Sequence, residues 1–358
     1  MHASVIIPVY NGAATLPRTV QSFLDQEVEP GQHYELVLCD DGSTDASAEI
    51  LAAYAHHPQV TVLRQENLGQ SAASNRAAQQ AQGELLLFAA QDIVPQDRHF
   101  IQNHLAGHAA GQRERCLTGY IRYPDELITS DFMEFMRDGH HQFDYFNIAD
   151  PDDLDPMKLY APNFSVKKSW FFQVGGFDER FRYGFQDSDL GLRFFSAGLK
   201  LSLAANINCW HYHPLTLREY ASKKRSFGRL FWDLFARHRH FFENICEPRL
   251  TVEIMLKNAL TFLLNRDLFS RILQEIDYFQ ERSVEPIEDL YNEFSIKIMS
   301  LPPLSEDMPK SKAYWCKYTY YSAYLTFCYY LGLAERAMEL GLLKKDAVDV
   351  SPLVLEEK

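Results

Sequence analysis

The feature that most constrains this chain is the regular alternation of apolar, β-prone runs with amphipathic stretches over its first hundred residues. Short runs rich in Val, Ile and Leu predict strands, and apolar side chains recurring every three to four residues predict helices. Such alternation is typical of a parallel sheet that helices cover on both faces. The predicted strands are 4–9, 34–39, 59–63 and 84–89, and the predicted helices are 15–26, a helix capped by Ser43 or Thr44 that runs through residue 54, and 70–82.

The predicted fold class is therefore α/β, with a mostly parallel, Rossmann-like sheet flanked by helices. Each predicted strand ends in a polar loop, at residues 10–12, 40–42, 66–69 and 91–92. The carboxyl ends of parallel strands meet at one edge of an open α/β sheet, and ligands bind in the crevice there. We therefore expect these loops to form a ligand-binding crevice.

The length predicts two domains, because 358 residues exceed one average domain. After about residue 115 the alternation becomes irregular, and the later chain carries helical patterns at 217–242, 253–282 and 313–342. We expect an α/β domain at residues 1–244 and a helical C-terminal domain at 245–358.

Charge and cysteine use narrow the classes of function. The 35 Lys+Arg and 48 Asp+Glu give a formal net charge of -13, whereas a general nucleic-acid binder needs a basic footprint. We therefore expect no nucleic-acid partner. The six cysteines form no C-x-x-C pair, and the N-terminus carries no basic and apolar leader. A reducing, cytoplasmic location is predicted.

The stretch 217–242 interleaves basic residues with aromatic and aliphatic ones. One interpretation is a surface helix that packs its apolar stripe on the protein. The alternative is a peripheral contact with an anionic membrane at its inner face. The most apolar later segment, 318–334, is uncharged but crowded with tyrosines, and we predict a buried or interfacial helix there.

Acidic side chains that could carry chemistry follow strands or open a helix. Asp40 and Asp41 end the second strand, where they could accept hydrogen bonds from a base or ribose, or cap a turn. Asp92 follows the fourth strand and could hold a divalent cation against a diphosphate, or cap the next element. Asp187 and Asp189 stand near a helix start, as dipole-complementing residues or as a general base.

Two imidazoles, His211 and His213, alternate along a strand-like segment. A structural role and a metal-ligand role are both open for them.

Taken in order, six segments resemble the family 2 glycosyltransferases, which have the A-type glycosyltransferase fold. The resemblance covers about residues 4–229. Each segment alone is weak, but six in the right order, each at a strand end, indicate the family. The segments are Val-Ile-Ile-Pro-Val-Tyr-Asn at 5–11, residues 16–26 with a closing Gln, Asp-Asp-Gly-Ser-Thr-Asp at 40–45, Asn-Leu-Gly at 67–69, Ala-Gln-Gly-Glu at 81–84, and the stretch from Gly-Gly-Phe-Asp-Glu at 175–179 to Asp-Leu-Gly-Leu-Arg at 189–193.

The resemblance implies an inverting glycosyltransferase that moves a sugar from a nucleotide-diphosphate donor to an acceptor hydroxyl. It implies a divalent cation, Mn²⁺ or Mg²⁺, and a glycan or lipid-linked acceptor, most commonly in the biosynthesis of cell-surface polysaccharides or glycans. On this interpretation residues 1–244 are the catalytic domain.

The resemblance also implies roles for individual residues. Asp187 matches the catalytic base, Asp92 matches the metal-reaching carboxylate of a D-x-D signature, and His211 or His213 is a further metal ligand. Pro8, Tyr10 and Asp41 would surround the nucleotide base. The full set of implied donor-binding residues is Pro8, Tyr10, Asp40, Asp41, Asn67, Gln91 and Asn163.

Three positions depart from the family's pattern. Ala90 replaces the first Asp of the D-x-D signature, so that a ribose contact is lost or passes to Gln91. Gln186 replaces the usual Glu before the base, and Ser74 replaces an Arg. Activity is the better interpretation, because the metal-reaching carboxylate and the base remain.

Two other classes of function are the alternatives. A non-catalytic relative would bind a sugar nucleotide or a glycan without transferring it. A nucleotidyltransferase is disfavoured, because such enzymes generally need a phosphate loop rich in Gly and basic residues near the first strand, and residues 11–14 do not supply one.

Overall fold

The structure is a computed structural model that describes residues 2–109, 113–138, 142–145, 148–246, 250–264 and 312–344. The chain divides into two compact units, Met1–Pro214 and Leu215–Lys358. The predicted catalytic domain ends later, at residue 244, and this functional boundary stays a prediction.

The first unit is built on one eight-stranded sheet with the order β3-β2-β1-β4-β7-β6-β8-β5. Strands β1 to β4 pair in parallel, whereas β7 runs antiparallel to β4 and β6, and β5 runs antiparallel to β8. The predicted α/β class with a mostly parallel sheet is confirmed. The strands are β1 (His2–Val9), β2 (His33–Asp40), β3 (Val60–Arg64), β4 (Leu85–Ala89), β5 (Ile93–Pro95), β6 (Arg115–Arg122), β7 (Asn163–Lys167) and β8 (Lys200–His211).

Helices follow the parallel strands as the alternation predicts. The predicted cap of the second helix is wrong, because that helix begins at Ser47. The Ser43 hydroxyl instead accepts a hydrogen bond from the Asn11 amide at 3.0 Å, and Thr44 donates to the Asn11 side chain. The helices of this unit are α1 (Leu16–Leu24), α2 (Ser47–Tyr54), α3 (Gln70–Gln80), α4 (Phe100–Gly107), α5 (Asp131–Asp138), α6 (Lys168–Gln173) and α7 (Gln186–Ser196), with 3₁₀ turns at Asp125–Leu127 and Pro156–Lys158.

The core lies on both faces of the sheet. Along β1, Val5 and Ile7 belong to one buried cluster and Ile6 to the other, because successive side chains point to opposite faces. A strand covered on both faces is mainly apolar, which explains the Val and Ile run at residues 5–7. A polar side chain inside such a strand needs a partner, as Ser4 has in Glu35.

A buried polar network lies between the C-terminal end of α4 and one face of β7. Nδ1 of His104 lies 2.8 Å from the Ser165 hydroxyl, and Nε2 of His108 lies 2.9 Å from the same hydroxyl. The other nitrogen of His104 lies 3.1 Å from Oδ1 of Asn163. All four side chains are buried, so each hydrogen bond satisfies a group that water does not reach.

The second unit is helical where the structure describes it, in agreement with the predicted helical C-terminus. Its helices are α8 (Leu217–Arg237), α9 (Arg239–Asn244), α10 (Val252–Leu264) and α11 (Lys312–Glu339). The single helix predicted at 217–242 is wrong, because the backbone leaves helical geometry at His238. The predicted helix at 253–282 begins as expected, and its part beyond residue 264 lies outside the described residues.

Both the basic and the apolar side chains of helix α8 make contacts within its own unit. Leu234 and Phe235 of its apolar stripe are buried. Arg225 and Arg229 form ion pairs with Glu335 of α11. Among the described residues, no helix combines the length and the apolar character that crossing a bilayer requires.

The buried network predicts acid sensitivity of the fold. Burial, reinforced by the charge of His108, lowers the pKa of His104 to about 3, and burial lowers that of His108 to about 4. In the unfolded chain both titrate near ~6.5. Their stabilising contribution is complete above that pH and is lost as the pH falls, by up to ~1.4 kcal/mol per pH unit for each imidazole.

Urea unfolding of the wild type and of His104→Gln between pH 7.5 and pH 4.5 measures this loss, which begins at the unfolded pKa of ~6.5 and continues down to the folded values of about 3 and about 4. The variant should show a shallower loss of unfolding free energy toward low pH. His56→Gln, at an exposed histidine, is the matched control and should keep the wild-type slope. The same slope in all three proteins would contradict the assignment.

Candidate functional site

The loops that follow β1, β2 and β4 are joined at the carboxyl edge of the parallel strands. The Gln91 side chain accepts from the Tyr10 amide at 2.8 Å and donates to the Tyr10 carbonyl at 3.1 Å, as a paired strand would. Gly12 packs against the same carboxamide, where a Cβ atom would come within 2.6 Å of it. With the Asn11 contact to Ser43, these bonds make the predicted crevice loops one connected edge.

Asp41 holds the loop after β3. Its Oδ1 accepts from the Leu68 amide at 2.9 Å and from the Gln65 side chain at 2.8 Å, and its Oδ2 accepts from the Gly69 amide at 2.8 Å. The carboxylate is buried. The structure thus gives Asp41 a loop-anchoring role, and its predicted contact with a nucleotide base stays a prediction.

Asp40 and the other predicted donor-binding residues lie at or near this edge. Oδ1 of Asp40 accepts from the Ser43 amide at 2.9 Å, and its Oδ2 lies 3.3 Å from Nε of Arg64. Tyr10 and Asn67 are exposed, and Pro8 is half-buried. The Gln91 carboxamide is already paired with the Tyr10 backbone, so a ribose contact through it would have to replace that pairing.

Asn163 is not at the exposed edge. It is fully buried, and its amide faces His104 on one side and the Cys209 sulfur, at 3.5 Å, on the other. The structure gives it a role in the buried network, and its contact with a sugar stays a prediction.

Asp92, His211 and His213 come together although more than a hundred residues separate the carboxylate from the imidazoles. Nε2 of His211 lies 3.4 Å from Oδ1 of Asp92, and Nδ1 of His213 lies 3.0 Å from Oδ2. One ligand atom from each residue lies within 4.8 Å of the other two. Among the described residues this is the group that could hold a metal ion.

The pairing of β5 with β8 builds this cluster. Ile93 lies opposite His211, and the Tyr212 amide donates to the Asp92 carbonyl at 2.8 Å. His211 and His213 alternate with Tyr212 along the chain and therefore share one side. Their rings stack with centroids 5.2 Å apart and planes 8° apart.

Tyr212 fastens the same segment on its other side. Its hydroxyl donates to Glu126 at 2.9 Å, and the guanidinium of Arg18 lies 4.2 Å from its ring centre. Such a cation-π contact contributes about 0.5–1 kcal/mol at an exposed position.

The electrostatics of the cluster suit a cation. Burial raises the pKa of Asp92, but the neighbouring His211 and His213 outweigh it and hold that pKa below its ordinary range. Oδ1 of Asp92 and Nδ1 of His211 are buried without a hydrogen-bond partner. A buried carboxylate oxygen facing two imidazoles is the kind of donor set that divalent cations use in proteins.

Asp187 and Asp189 both lie in the first turn of α7, but the structure separates their roles. Asp189 is fully buried and bonded to Arg193, with Oδ2 2.7 Å from its NH2. Arg193 in turn donates to the Val174 and Gly176 carbonyls, so this pair anchors the Gly-Gly loop. Asp189 is therefore structural.

Asp187 is half-buried and accepts hydrogen bonds from the Ser188 amide at 2.9 Å and from the Ala161 amide at 3.3 Å. Phe185, just before α7, has φ 60°, a left-handed conformation that is uncommon for a bulky residue and that clusters at functional sites. The adjacent Gln186 is buried, and its Oε1 has no hydrogen-bond partner.

Two residues that shape this edge, Arg182 and Thr19, were not predicted from the sequence. Arg182 donates to the Asn67 carbonyl at 2.9 Å, and Thr19 donates to the Gln91 carbonyl at 2.8 Å. Their partners lie far away in the sequence, so no local pattern pointed to them.

The chain is similar in sequence to known glycosyltransferases. The family model "Glycosyl transferase family 2" matches residues 4–160. A validoxylamine A glucosyltransferase from Streptomyces hygroscopicus subsp. limoneus is 28% identical over 326 residues, which cover 84% of this chain and 68% of the relative.

Two further comparisons are more limited. An undecaprenyl-phosphate 4-deoxy-4-formamido-L-arabinose transferase from Shewanella sediminis is 35% identical over 135 residues, or 35% of this chain and 40% of the relative. A solved structure of a mannosyltransferase from Pyrobaculum calidifontis, in complex with GDP-Man and Mn²⁺, superposes with a TM-score of 0.57 at 16% identity. The superposition covers 94% of this chain and 87% of the mannosyltransferase chain. This likeness shows the A-type fold.

The anchoring role of Asp41 yields a testable prediction. Asp41→Asn should lower the free energy of unfolding by about 1–3 kcal/mol, because the amide cannot accept from all the buried donors that the carboxylate satisfies. Hydrogen exchange at the Leu68 and Gly69 amides should accelerate. Asp25→Asn, at an exposed aspartate on the end of α1, is the matched control. Unchanged exchange at both amides would contradict the anchoring role.

Proposed function

This chain belongs to glycosyl transferase family 2, and from that premise we propose that it is an inverting, metal-dependent enzyme that moves a sugar from a nucleotide-diphosphate donor to an acceptor hydroxyl. The observation that carries the proposal is the Asp92, His211 and His213 cluster, built beside the joined loops of the sheet edge. A phosphate-binding metal and a nucleotide-binding edge are the two parts that a sugar-nucleotide donor requires.

Asp92 and the two imidazoles would hold a divalent cation in this proposal. The bound cation would supply Lewis-acid stabilisation of the charge that develops on the leaving diphosphate. The position of the buried Asp92 carboxylate supports this assignment, because its two oxygens face Nε2 of His211 at 3.4 Å and Nδ1 of His213 at 3.0 Å. Mn²⁺ and Mg²⁺ are both candidates for this cation.

Asp187 would accept the proton of the acceptor hydroxyl as its oxygen attacks the anomeric carbon. Attack from the face opposite the leaving group inverts the anomeric configuration in a single displacement. A carboxylate within hydrogen-bond reach of the acceptor hydroxyl can take its proton as a general base. The half-buried position of Asp187 supports the role, because a base must remain accessible to its substrate.

The donor side is proposed to use Pro8, Tyr10, Asp40, Asp41, Asn67 and Gln91, with Asn163 acting from below the surface. The exposed Tyr10 ring supports stacking on a base, and the bonded loops support a preorganised edge. A related solved structure holds GDP-Man and Mn²⁺, which supports the general class of donor.

The acceptor is proposed to be a glycan or a lipid-linked intermediate, in cell-surface polysaccharide or glycan synthesis at the cytoplasmic side. A relative named for transfer involving undecaprenyl phosphate supports a lipid-linked acceptor. A peripheral membrane contact through 217–242 would need residues of α8 other than the buried Leu234 and Phe235.

A non-catalytic sugar-nucleotide or glycan-binding relative is the alternative function. The observation in its favour is the pair of substitutions at Ala90 and Gln186. This alternative predicts binding of a donor or glycan with neither sugar transfer nor donor hydrolysis. The enzyme proposal predicts sugar transfer.

Donor binding is tested by thermal unfolding with Mn²⁺ and a panel of nucleoside diphosphates and their sugars. A ligand at a hundred times its dissociation constant stabilises by ~2.7 kcal/mol, so one nucleotide family should raise the Tm. Asp92→Ala should remove the metal-dependent part of the shift, and Asp25→Asn should keep it. No shift with any nucleotide would contradict donor binding.

The base assignment is tested by Asp187→Asn. This variant should lose transfer by at least about 100-fold while keeping the nucleotide-dependent Tm shift, since general-base catalysis contributes about 10²–10⁴-fold. Asp189→Asn should instead lower the unfolding free energy, because it breaks a buried ion pair. Full transfer activity in Asp187→Asn would exclude it as the base.

A further inference from the structure

Gln186 is a buried polar residue to which the proposed mechanism gives no task. The residue is only 8% exposed, and its Oε1 has no hydrogen-bond partner among the described residues. An unsatisfied buried oxygen lowers the stability of a fold, whereas an apolar side chain of similar size would not carry this cost. Local features that cost stability are typical of functional sites.

The backbone directly before Gln186 is also in an unfavourable conformation. Gly184 has φ 96° and Phe185 has φ 60°, so two consecutive residues are left-handed where the chain enters α7. A bulky residue such as Phe rarely adopts this conformation. Strain of this kind persists only where the surrounding structure imposes it, and it clusters at sites that bind ligands. Two adjacent residues at the start of α7 are therefore less stable than the fold alone requires.

Gln186 lies beside the residue proposed as the base. Both Gln186 and Asp187 are in the first turn of α7, and helical side chains lean towards the N-terminus of their helix. The segment that leads into α7 contacts the donor edge, because Arg182 donates to the Asn67 carbonyl at 2.9 Å. Gln186 therefore adjoins the proposed base and follows a segment that contacts a loop proposed to bind the donor.

The chemistry of a carboxamide suits a hydroxyl group as its ligand. A carboxamide has one accepting oxygen and an NH₂ donor, and a hydroxyl both donates and accepts, so a hydroxyl can pair with either end. The phosphate of a lipid carrier offers accepting oxygens, which would leave Oε1 without a partner. A saccharide ring, by contrast, carries a second hydroxyl on the carbon next to the reacting one.

We propose that Oε1 of Gln186 accepts a hydrogen bond from a hydroxyl adjacent to the one whose proton Asp187 takes. The acceptor is then a polyhydroxylated ring such as a saccharide, free or lipid-linked, and not a lipid phosphate. This inference rests on the proposed glycosyl transfer and deepens it by naming the class of acceptor. Gln186 is a specificity-determining residue whose oxygen gains its partner when the acceptor binds.

Urea unfolding of Gln186→Leu without ligand tests the unpartnered oxygen. The urea midpoint should be unchanged or higher, because leucine removes the unsatisfied carboxamide and keeps a side chain of similar size. Gln79→Leu, at an exposed glutamine of α3, is the matched control for exchanging an amide for an alkyl group. A midpoint that falls in Gln186→Leu but not in Gln79→Leu would show that the carboxamide stabilises the fold, and would overturn the proposal.

Rates of sugar transfer, with the nucleotide sugar that raises the Tm, test the acceptor class. The probes are the methyl pyranosides of glucose, galactose and mannose, the same compounds with each ring hydroxyl removed in turn, and farnesyl phosphate. In the wild type, removal of one non-reacting hydroxyl should lower kcat/KM by at least about 10-fold. Gln186→Leu should use the parent and that deoxy compound within about twofold of each other, because the partner of the hydroxyl is already absent. Gln79→Leu should discriminate as the wild type does.

The other outcomes overturn different parts. Equal kcat/KM for the parent and all non-reacting deoxy compounds in the wild type, or full discrimination in Gln186→Leu, would overturn the assignment of Gln186. Transfer to farnesyl phosphate and to none of the pyranosides would overturn the acceptor class while leaving the proposed glycosyl transfer intact. Transfer to neither class, with the donor still raising the Tm, would contradict the proposed enzyme and this inference with it.

Discussion

Burial of β1 on both faces is the constraint on which the rest of the first unit depends. Its side chains enter two separate apolar clusters, and it pairs with β2 and β4 at the same time. A strand in this position cannot carry polar groups along its length without losing their hydration. The chemistry of the fold is therefore displaced to the strand ends, where the parallel direction collects the loops at one edge. The Gln91 bridge to Tyr10 then fixes two of those loops relative to each other.

The antiparallel part of the sheet adds what a purely parallel sheet could not supply. Strand β8 brings its C-terminal end to the same edge. The short strand β5 pairs antiparallel with that end. This arrangement sets the Asp92 carbonyl against the Tyr212 amide. The register decides which side chains meet, since a slip of one residue would present Tyr212 in place of the imidazoles.

The sequence predicted the parts of this architecture that follow from local periodicity. The four parallel strands and their helices differ from expectation by a residue or two at most ends, because apolar alternation and helical spacing are local signals. The Ser43 cap failed because a long-range partner, the Asn11 amide, competes for its hydroxyl. The break at His238 also escaped, since the apolar spacing continues across it.

The site residues show the same difference between local sequence signals and long-range contacts. Asp40, Asp41 and Asp92 were placed at the edge by their positions after strands, but no spacing rule brings Asp92 to His211 and His213. That meeting depends on the pairing of β5 with β8. Only the resemblance to a family suggested that the imidazoles act together with Asp92. The Asp41 anchor likewise depends on amides of a different loop.

Aspartates thus have different roles in this protein, and the role of each depends on the groups that the fold places beside it. Asp41 and Asp189 are buried and bonded to groups of the protein itself, so they stabilise loops. Asp187 is half-buried in the first turn of α7, so part of its surface remains accessible. Asp92 is buried between two imidazoles, with Oδ1 3.4 Å from Nε2 of His211 and Oδ2 3.0 Å from Nδ1 of His213. A buried carboxylate costs free energy unless it is paired, and the two imidazoles supply that pairing. In the proposed function the same carboxylate would bind the cation, so one side chain would serve both the stability of the sheet edge and the chemistry.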